Sequence, residues 1–310
     1  MTNNLFSLLN YIGHKSKILD DIFSIAPKNV DGVFWDIFCG SSVVGLSCPY
    51  EKVVCVDTNQ HLIDLYSNLC NPLFTNKLNQ MIEDYSLTNS SIKPRSEYLK
   101  DPNIGTCTWH GETIKNLHLD RLNKNGYMKL LNDFNVGKFK SPVDRGIAYM
   151  ILTLYGRNSN VTTKKDGKLV GGVGPLDFSK RAAKKLQEHI TTINEKDISW
   201  AQNSYMNIEP AKEDFVYLDP PYLASGFKYS GWSEEDELSL LDWIDKLPCN
   251  WILSNVFVSG KNSNTPLIEW SKKYKVVEVN KKYRKWAARG KSTAKRNNKK
   301  NIEVLITNLK

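Results

Sequence analysis

The sequence predicts an α/β fold with a mostly parallel sheet, interrupted by a long polar insert, and three observations predict it. Short apolar runs alternate with amphipathic stretches, the pattern of strands joined by helical crossovers. The first run, Gly32–Phe38, ends in a glycine-bearing turn, and the second, Glu51–Val56, ends at an acid, Asp57, 21 residues after Asp36. From Asn76 to Ile198 the chain is rich in Lys, Asn, Asp and Ser, and strand-like runs then resume.

Taken in order, Ile18–Ile25 reads as a helix behind the segment Tyr11–Lys15 (YIGHK), and GVFWDIF reads as the first strand. A turn, Cys39-Gly40-Ser41-Ser42, leads into a helix beginning at Val43–Leu46; EKVVCV is the second strand and Leu62–Leu69 the next helix. Within the polar region, Ile147–Tyr155 (IAYMILTLY) is the first sustained apolar period, and Ser179–Ile193 is a basic amphipathic helix. Asp214–Leu218 (DFVYL) has the composition of a buried strand. Ser233 followed by acids opens a helix over Glu234–Leu247. Trp251–Ser254, Val276–Val279 and Asn301–Asn308 (NIEVLITN) complete the strands. The simplest organisation is one core made of residues 1–73 and 199–310, with an insert over 74–198.

The chain has 310 residues, 41% of them hydrophobic and 24% charged, which is globular usage and excludes a disordered or fibrous protein. No run reaches the roughly 18 apolar residues of a membrane span, and Met1–Asn10 lacks the layout of a signal peptide, so an intracellular protein is expected. Six cysteines form no C-x-x-C pair, which points to free thiols and to neither a metal site nor a disulfide framework. The formal net charge of +9 favours a polyanionic partner. Ten of the twenty residues of Lys281–Lys300 are Lys or Arg and none is acidic, with Tyr283 and Trp286 interleaved. Such a run is equally a solvated face, but here it is enclosed between two strand-like segments, as a loop lying along phosphates would be.

Three constellations carry chemistry. Asp219-Pro220-Pro221-Tyr222 follows DFVYL directly. Two prolines fix φ and remove two donors, so the chain leaves the strand in a set direction, with the Asp219 carboxylate and the Pro220 carbonyl free to face one point. An exocyclic amine on a nucleobase is a poor nucleophile until two acceptors draw on its hydrogens, and a tyrosine ring gives an extruded base a face to stack on. An ordinary Pro-Pro turn with a packing tyrosine is the plainer alternative. The second constellation is Asp36–Gly45 (DIFCGSSVVG) with Asp57: a turn that lets a ligand approach the backbone, and an acid suited to ribose hydroxyls. G-x-G-x-x-G is absent, so an adenosine without phosphate, such as S-adenosylmethionine, suits it better than a dinucleotide. The third is YIGHK, which is either an ordinary helix start or a means of placing Lys15 on a carboxylate.

The ordered set YIGHK, DIFCGSSVVG, VDTN (Val56–Asn59) and DPPY resembles the Dam-type, class D12 (α-group) DNA adenine-N6 methyltransferases over nearly the whole chain. The resemblance implies a Rossmann-like methyltransferase core with an inserted target-recognition domain. It implies methyl transfer from S-adenosylmethionine to N6 of a flipped adenine in double-stranded DNA, without a covalent enzyme intermediate and without a metal. Tyr11, Lys15, Asp36, Gly40, Asp57 and Ser204 are then cofactor contacts, and Asp219, Pro220 and Tyr222 the catalytic motif. Within the insert, Tyr127–Asn135 and Tyr155–Lys168 resemble family stretches, which makes Arg157, Asn158 and Asn160 contacts to DNA, alongside Arg284, Lys285, Arg289 and Lys291 of the basic run. Ser42 stands where the family has the second glycine of F-x-G-x-G, and Ser204 where an Asp usually meets the cofactor's adenine. A monomeric cytoplasmic enzyme of a prokaryotic or phage-infected cell is the expected setting, serving either restriction-modification, with a cognate endonuclease acting separately, or phage or housekeeping methylation. Amino-methylation of cytosine N4, RNA or protein, and a non-catalytic DNA-binding protein on the same core, are the alternatives.

Overall fold

A computed structural model of the chain describes residues 6–9, 13–98, 107–109, 112–114, 119–164, 166–224, 231–279 and 301–310. Tyr11 and the whole basic run, with Arg284, Lys285, Arg289 and Lys291, lie outside the described residues. Among the described residues no helix is long and apolar enough to cross a membrane.

Among the described residues, seven strands form the path of an eight-stranded central sheet: β1 (Phe34–Ile37), β2 (Lys52–Asp57), β3 (Asp197–Gln202), β4 (Phe215–Leu218), β5 (Asn250–Ser259), β6 (Lys275–Glu278) and β7 (Asn301–Thr307). Their spatial order is β3-β2-β1-β4-β5-β7-β6, and a short strand, Asn262–Ser263, folds back on β5. The pairs β3/β2, β2/β1, β1/β4 and β4/β5 are parallel, whereas β7 runs antiparallel to both β5 and β6. Strand order reverses at β1, so the ends of β1 and β4 border the crevice where open α/β sheets bind ligands. The α/β class with a mostly parallel sheet is thus what the alternation of runs predicts.

Both faces of the sheet are covered, which is why its strands read as continuous apolar runs. Phe34, Val53, Cys55, Phe215, Tyr217 and Ile252 meet α1 (Leu19–Ile25) and α2 (Val43–Ser47) on one face. Ile37, Val56, Val216, Leu218 and Leu253 meet α8 (Glu234–Asp245) and α9 (Thr265–Ser271) on the other. The residues between Leu46 and Ser179 add α3 (Gln60–Ser67), α4 (Phe74–Asp84), α5 (Leu119–Asn135) and α6 (Pro142–Tyr155), and α7 (Lys180–Asn194) follows.

The polar insert shares a core with the helix that follows β2. Leu62, Leu65 and Tyr66 of α3 pack with Leu78 of α4, Tyr127 of α5, Ile147 and Ile151 of α6, and Leu186 of α7. Gly146 lets α6 lie against α3: a Cβ there would stand 2.8 Å from the Asp64 carbonyl oxygen and from the Leu65 Cα. Arg145 fixes the same seam, with its Nε donating to Asp64 Oδ2 at 2.7 Å.

Candidate active site

Side chains on a strand alternate between faces, so residues two apart look the same way. Asp36 on β1 is the register partner of Tyr217 on β4, which shares the α1 face with Ile252 on β5, and Ser254 lies two residues further on. Asp219 is two residues past Tyr217, just beyond the end of β4, where its backbone N–H donates to the Ile37 carbonyl at 3.3 Å. That bond ties the start of the Pro-Pro turn to the central strand. Pro220 is buried, and Tyr222 folds back so that its hydroxyl donates to Asp219 Oδ1 at 2.7 Å.

The N-terminal segment reaches the same strand end. Gly13 takes φ +85°, a left-handed turn open to glycine, and Lys15 behind it is 3% exposed. The Lys15 ammonium donates to the Gly13 carbonyl at 2.9 Å and to Asp219 Oδ2 at 2.5 Å, and stands 5.1 Å from the centre of the Tyr222 ring. Burial alone pulls an ammonium down, but the Asp219 carboxylate beside it more than offsets that and holds Lys15 above the ordinary lysine range. Burial pushes the Asp219 carboxyl up, while the charge and hydrogen bond of Lys15 and the Tyr222 hydroxyl pull it down. At 2.5 Å the Lys15 ammonium and the Asp219 carboxylate form a salt bridge.

The glycine turn holds two more acids. Asp36 is 1% exposed, and its Oδ2 accepts the Gly45 N–H at 2.8 Å. Burial drives its carboxyl well above the usual range, the Gly45 bond opposes this, and the nearby charges of Asp219 and Asp57 add to it. Asp57 ends β2 and accepts backbone N–H groups from Gly40 and Asn59, both at 2.9 Å; burial still raises it. Gly40 sits at φ +46°, and Ser42 takes the left-handed values φ 52° and ψ 16° that a glycine adopts without strain. Ser42 offsets the strain locally: its hydroxyl oxygen accepts the Trp200 indole N–H at 2.9 Å. Ser204 lies at the start of the short helical turn Tyr205–Asn207, where its hydroxyl accepts the Met206 N–H at 3.4 Å.

Arg157, Asn158 and Asn160 are exposed at the far end of α6, some way along the chain from these acids. They are displayed on a tight crossing of two backbones: Arg157 N donates to the Gly172 carbonyl at 2.7 Å and Gly174 N to the Tyr155 carbonyl at 2.6 Å. A Cβ on Gly174 would come within 2.5 Å of the Gly156 oxygen, so the crossing depends on that glycine. Asn158, at φ 58°, turns the loop outward.

Sequence reasoning does not single out Tyr217, Ser254 or Glu303. Tyr217 and Glu303 both act electrostatically on Lys15, and Tyr217, Ser254 and Glu303 all act on Tyr222 or its neighbours. Their signal is a polar residue inside an apolar strand run, and it acquires meaning only once strand register puts them beside the same turn.

A family model described as D12 class N6 adenine-specific DNA methyltransferase matches residues 11–284. The chain is 25% identical over 315 aligned positions to the type II methyltransferase M.FokI of Planomicrobium okeanokoites, covering 97% of this chain and 42% of that protein. It is 26% identical to modification methylase StsI of Streptococcus sanguinis, again over 97% of this chain and 42% of the relative. The type II methyltransferase M1.LlaDCHI of Lactococcus lactis subsp. cremoris is 26% identical over 98% of this chain and 96% of its own length. The chain therefore spans less than half the length of the first two relatives.

Proposed function

The chain belongs to the D12 class of N6 adenine-specific DNA methyltransferases, and from that membership we propose that it transfers a methyl group to N6 of an adenine flipped out of double-stranded DNA. One observation carries the reading: the Asp219 carboxylate is held at the end of β4 by a Pro-Pro turn and by the Tyr222 hydroxyl at 2.7 Å, with the buried Asp36 close enough to interact with it. Asp219 and the Pro220 carbonyl are the acceptors for the two amine hydrogens, and the Tyr222 ring is the stacking surface for the base.

The donor set suits S-adenosylmethionine. Asp36 is buried and Asp57 and Asp219 are half-buried, desolvation penalises the charged form of all three, and among the described residues Lys15 is a cation acting on Asp36 and Asp219. A ligand bearing a sulfonium and an ammonium relieves that imbalance. An ionised carboxylate has about four lone-pair sites, so Asp57 retains capacity for ribose hydroxyls while it accepts two backbone N–H groups. Gly40 and Ser42 shape the turn around the ligand, and Asp36 and Ser204 line its two ends. When bound, S-adenosylmethionine supplies an electrophilic methyl group. The chain's own residues orient the amine, draw on its hydrogens and exclude water, and no nucleophilic cysteine enters the scheme.

The division of labour follows. Residues 1–73 and 199–310 form the catalytic core and 74–198 the target-recognition region, which presents Arg157, Asn158 and Asn160 to DNA, with Tyr11 at the cofactor and Arg284, Lys285, Arg289 and Lys291 along phosphates. The enzyme acts as a monomer in a restriction-modification setting, alongside a separate endonuclease. Incubating the purified protein with duplex DNA and S-adenosylmethionine, then analysing nucleosides by mass spectrometry, tests the reading. N6-methyladenine is expected; N4-methylcytosine, or no methylated base, would overturn it.

A further inference from the structure

Both oxygens of Asp219 are taken: Oδ1 by the Tyr222 hydroxyl at 2.7 Å and Oδ2 by the Lys15 ammonium at 2.5 Å. The groups that act on this carboxyl and its partners are Asp36 on β1, Tyr217 on β4, Tyr222 on its own turn, Glu303 on β7 and Lys15 on the N-terminal segment. Burial and the charge of Glu303 favour a neutral Asp219, and what opposes them is the Lys15 ammonium, with the Tyr222 hydroxyl adding to it, so the carboxylate depends on that cation staying close. A neutral carboxyl is the wrong partner for an amine that must give up hydrogen-bonding density, because its O–H would donate where an acceptor is needed. Lys15 is held for this task from two sides, by the Gly13 carbonyl at 2.9 Å and by packing that leaves it 3% exposed. Its N–H donors also reach Oδ2 as those of a nucleobase amine would.

We propose that Lys15 is a positioning residue whose ammonium keeps the Asp219 carboxylate charged and aimed, and yields Oδ2 to the target amine when the base enters. The inference rests on the reading of Asp219 as the amine acceptor. It assigns Lys15 to the target-base side of the crevice, in addition to any contact with the cofactor. As the base enters, the ammonium keeps its bond to the Gly13 carbonyl and moves off one carboxylate oxygen, and no covalent bond changes in this step.

Two readouts test it. The first is the carboxyl signal of Asp219 in protein labelled with 13C at aspartate side chains, identified by its disappearance in Asp219→Asn. In the parent protein the carboxyl is expected to remain ionised from about pH 6 to about pH 9, and in Lys15→Met to titrate at higher pH than in the parent. The second is the single-turnover methylation rate against pH. The parent profile is expected to be flat over this range, Lys15→Met to fall at least about tenfold at about pH 7 and recover with rising pH, since one unit of displacement is a tenfold change, and Lys15→Arg to restore the flat profile. Parallel titrations and parallel pH profiles in parent and Lys15→Met would overturn the proposal. If Lys15→Met does not fold, the parent alone decides: an Asp219 carboxyl that is protonated at neutral pH overturns the proposal as well. A displaced titration in a protein that methylates no adenine would instead support the charge-holding role and overturn the proposed function, so the two failures are distinct.

Discussion

Asp36 shows what a buried acid does to a protein that has yet to bind its ligand. Below 3.8, the ordinary value of its carboxyl, folded and unfolded chains are both protonated there and the residue has no effect on stability. As pH rises past that value the unfolded chain ionises first, and the folded protein loses stability relative to it until Asp36 ionises too. Asp36→Asn, which keeps an acceptor for the Gly45 N–H, is therefore expected to stabilise the ligand-free protein more at about pH 8 than at about pH 4 in thermal melts; an equal gain at both would remove the charge from the account. Asp219→Ala is expected to lower the single-turnover methylation rate by at least about a hundredfold, the scale of deleting one polar group that meets the transition state, while S-adenosylmethionine still binds. Calorimetry and rapid-quench rates on one preparation check both halves. Asp36, Asp57, Asp219 and Tyr222 are legible in the sequence because each lies in, or directly after, a recognisable strand. Tyr217, Ser254 and Glu303 are not, because their meaning depends on register between strands far apart in the chain.

Elements are legible wherever their ends carry their own chemistry. Ser233 caps α8 through a reciprocal bond with Asp236, the Ser233 hydroxyl accepting the Asp236 N–H at 3.2 Å and Asp236 Oδ2 accepting the Ser233 N–H at 2.8 Å, and the sequence shows that start directly. The strand read at Trp251–Ser254 runs on to Ser259, since the polar pair Ser254-Asn255 interrupts the apolar run but not the ladder, and β7 pairs on through Asn255, Val256 and Val258. The seam between α3 and α6 is hidden, because a glycine in an apolar helix looks like a weakness until its neighbour is known. Gly146→Ala would force the two backbones apart and is expected to cost about 1–3 kcal/mol, the usual range for overpacking, measured by denaturant unfolding. A variant as stable as the parent would mean that the seam has slack.

At the scale of the whole molecule, the proposed recognition of DNA makes its charge a measurable quantity. Replacing Arg284, Lys285, Arg289 and Lys291 together is expected to weaken binding to all duplex sequences alike and to flatten the dependence of log affinity on log salt by about 0.9 for each phosphate that the variant ceases to neutralise. An unchanged slope would return the basic run to the role of a solvated face. A different property follows from the pairing of β1 with β4. The bond from Val33 N to Asp214 Oδ1 at 2.8 Å joins positions 181 residues apart, and the two strands it introduces are the centre of the sheet. The chain must close a loop of that length before its middle exists, and topologies dominated by such distant pairings fold slowly. Asp36 and Asp219 belong to the two sides of that closure. On a ribosome the crevice has no second wall until β4 emerges, so the nascent chain holds its acids apart, and the site they form together arrives late and all at once.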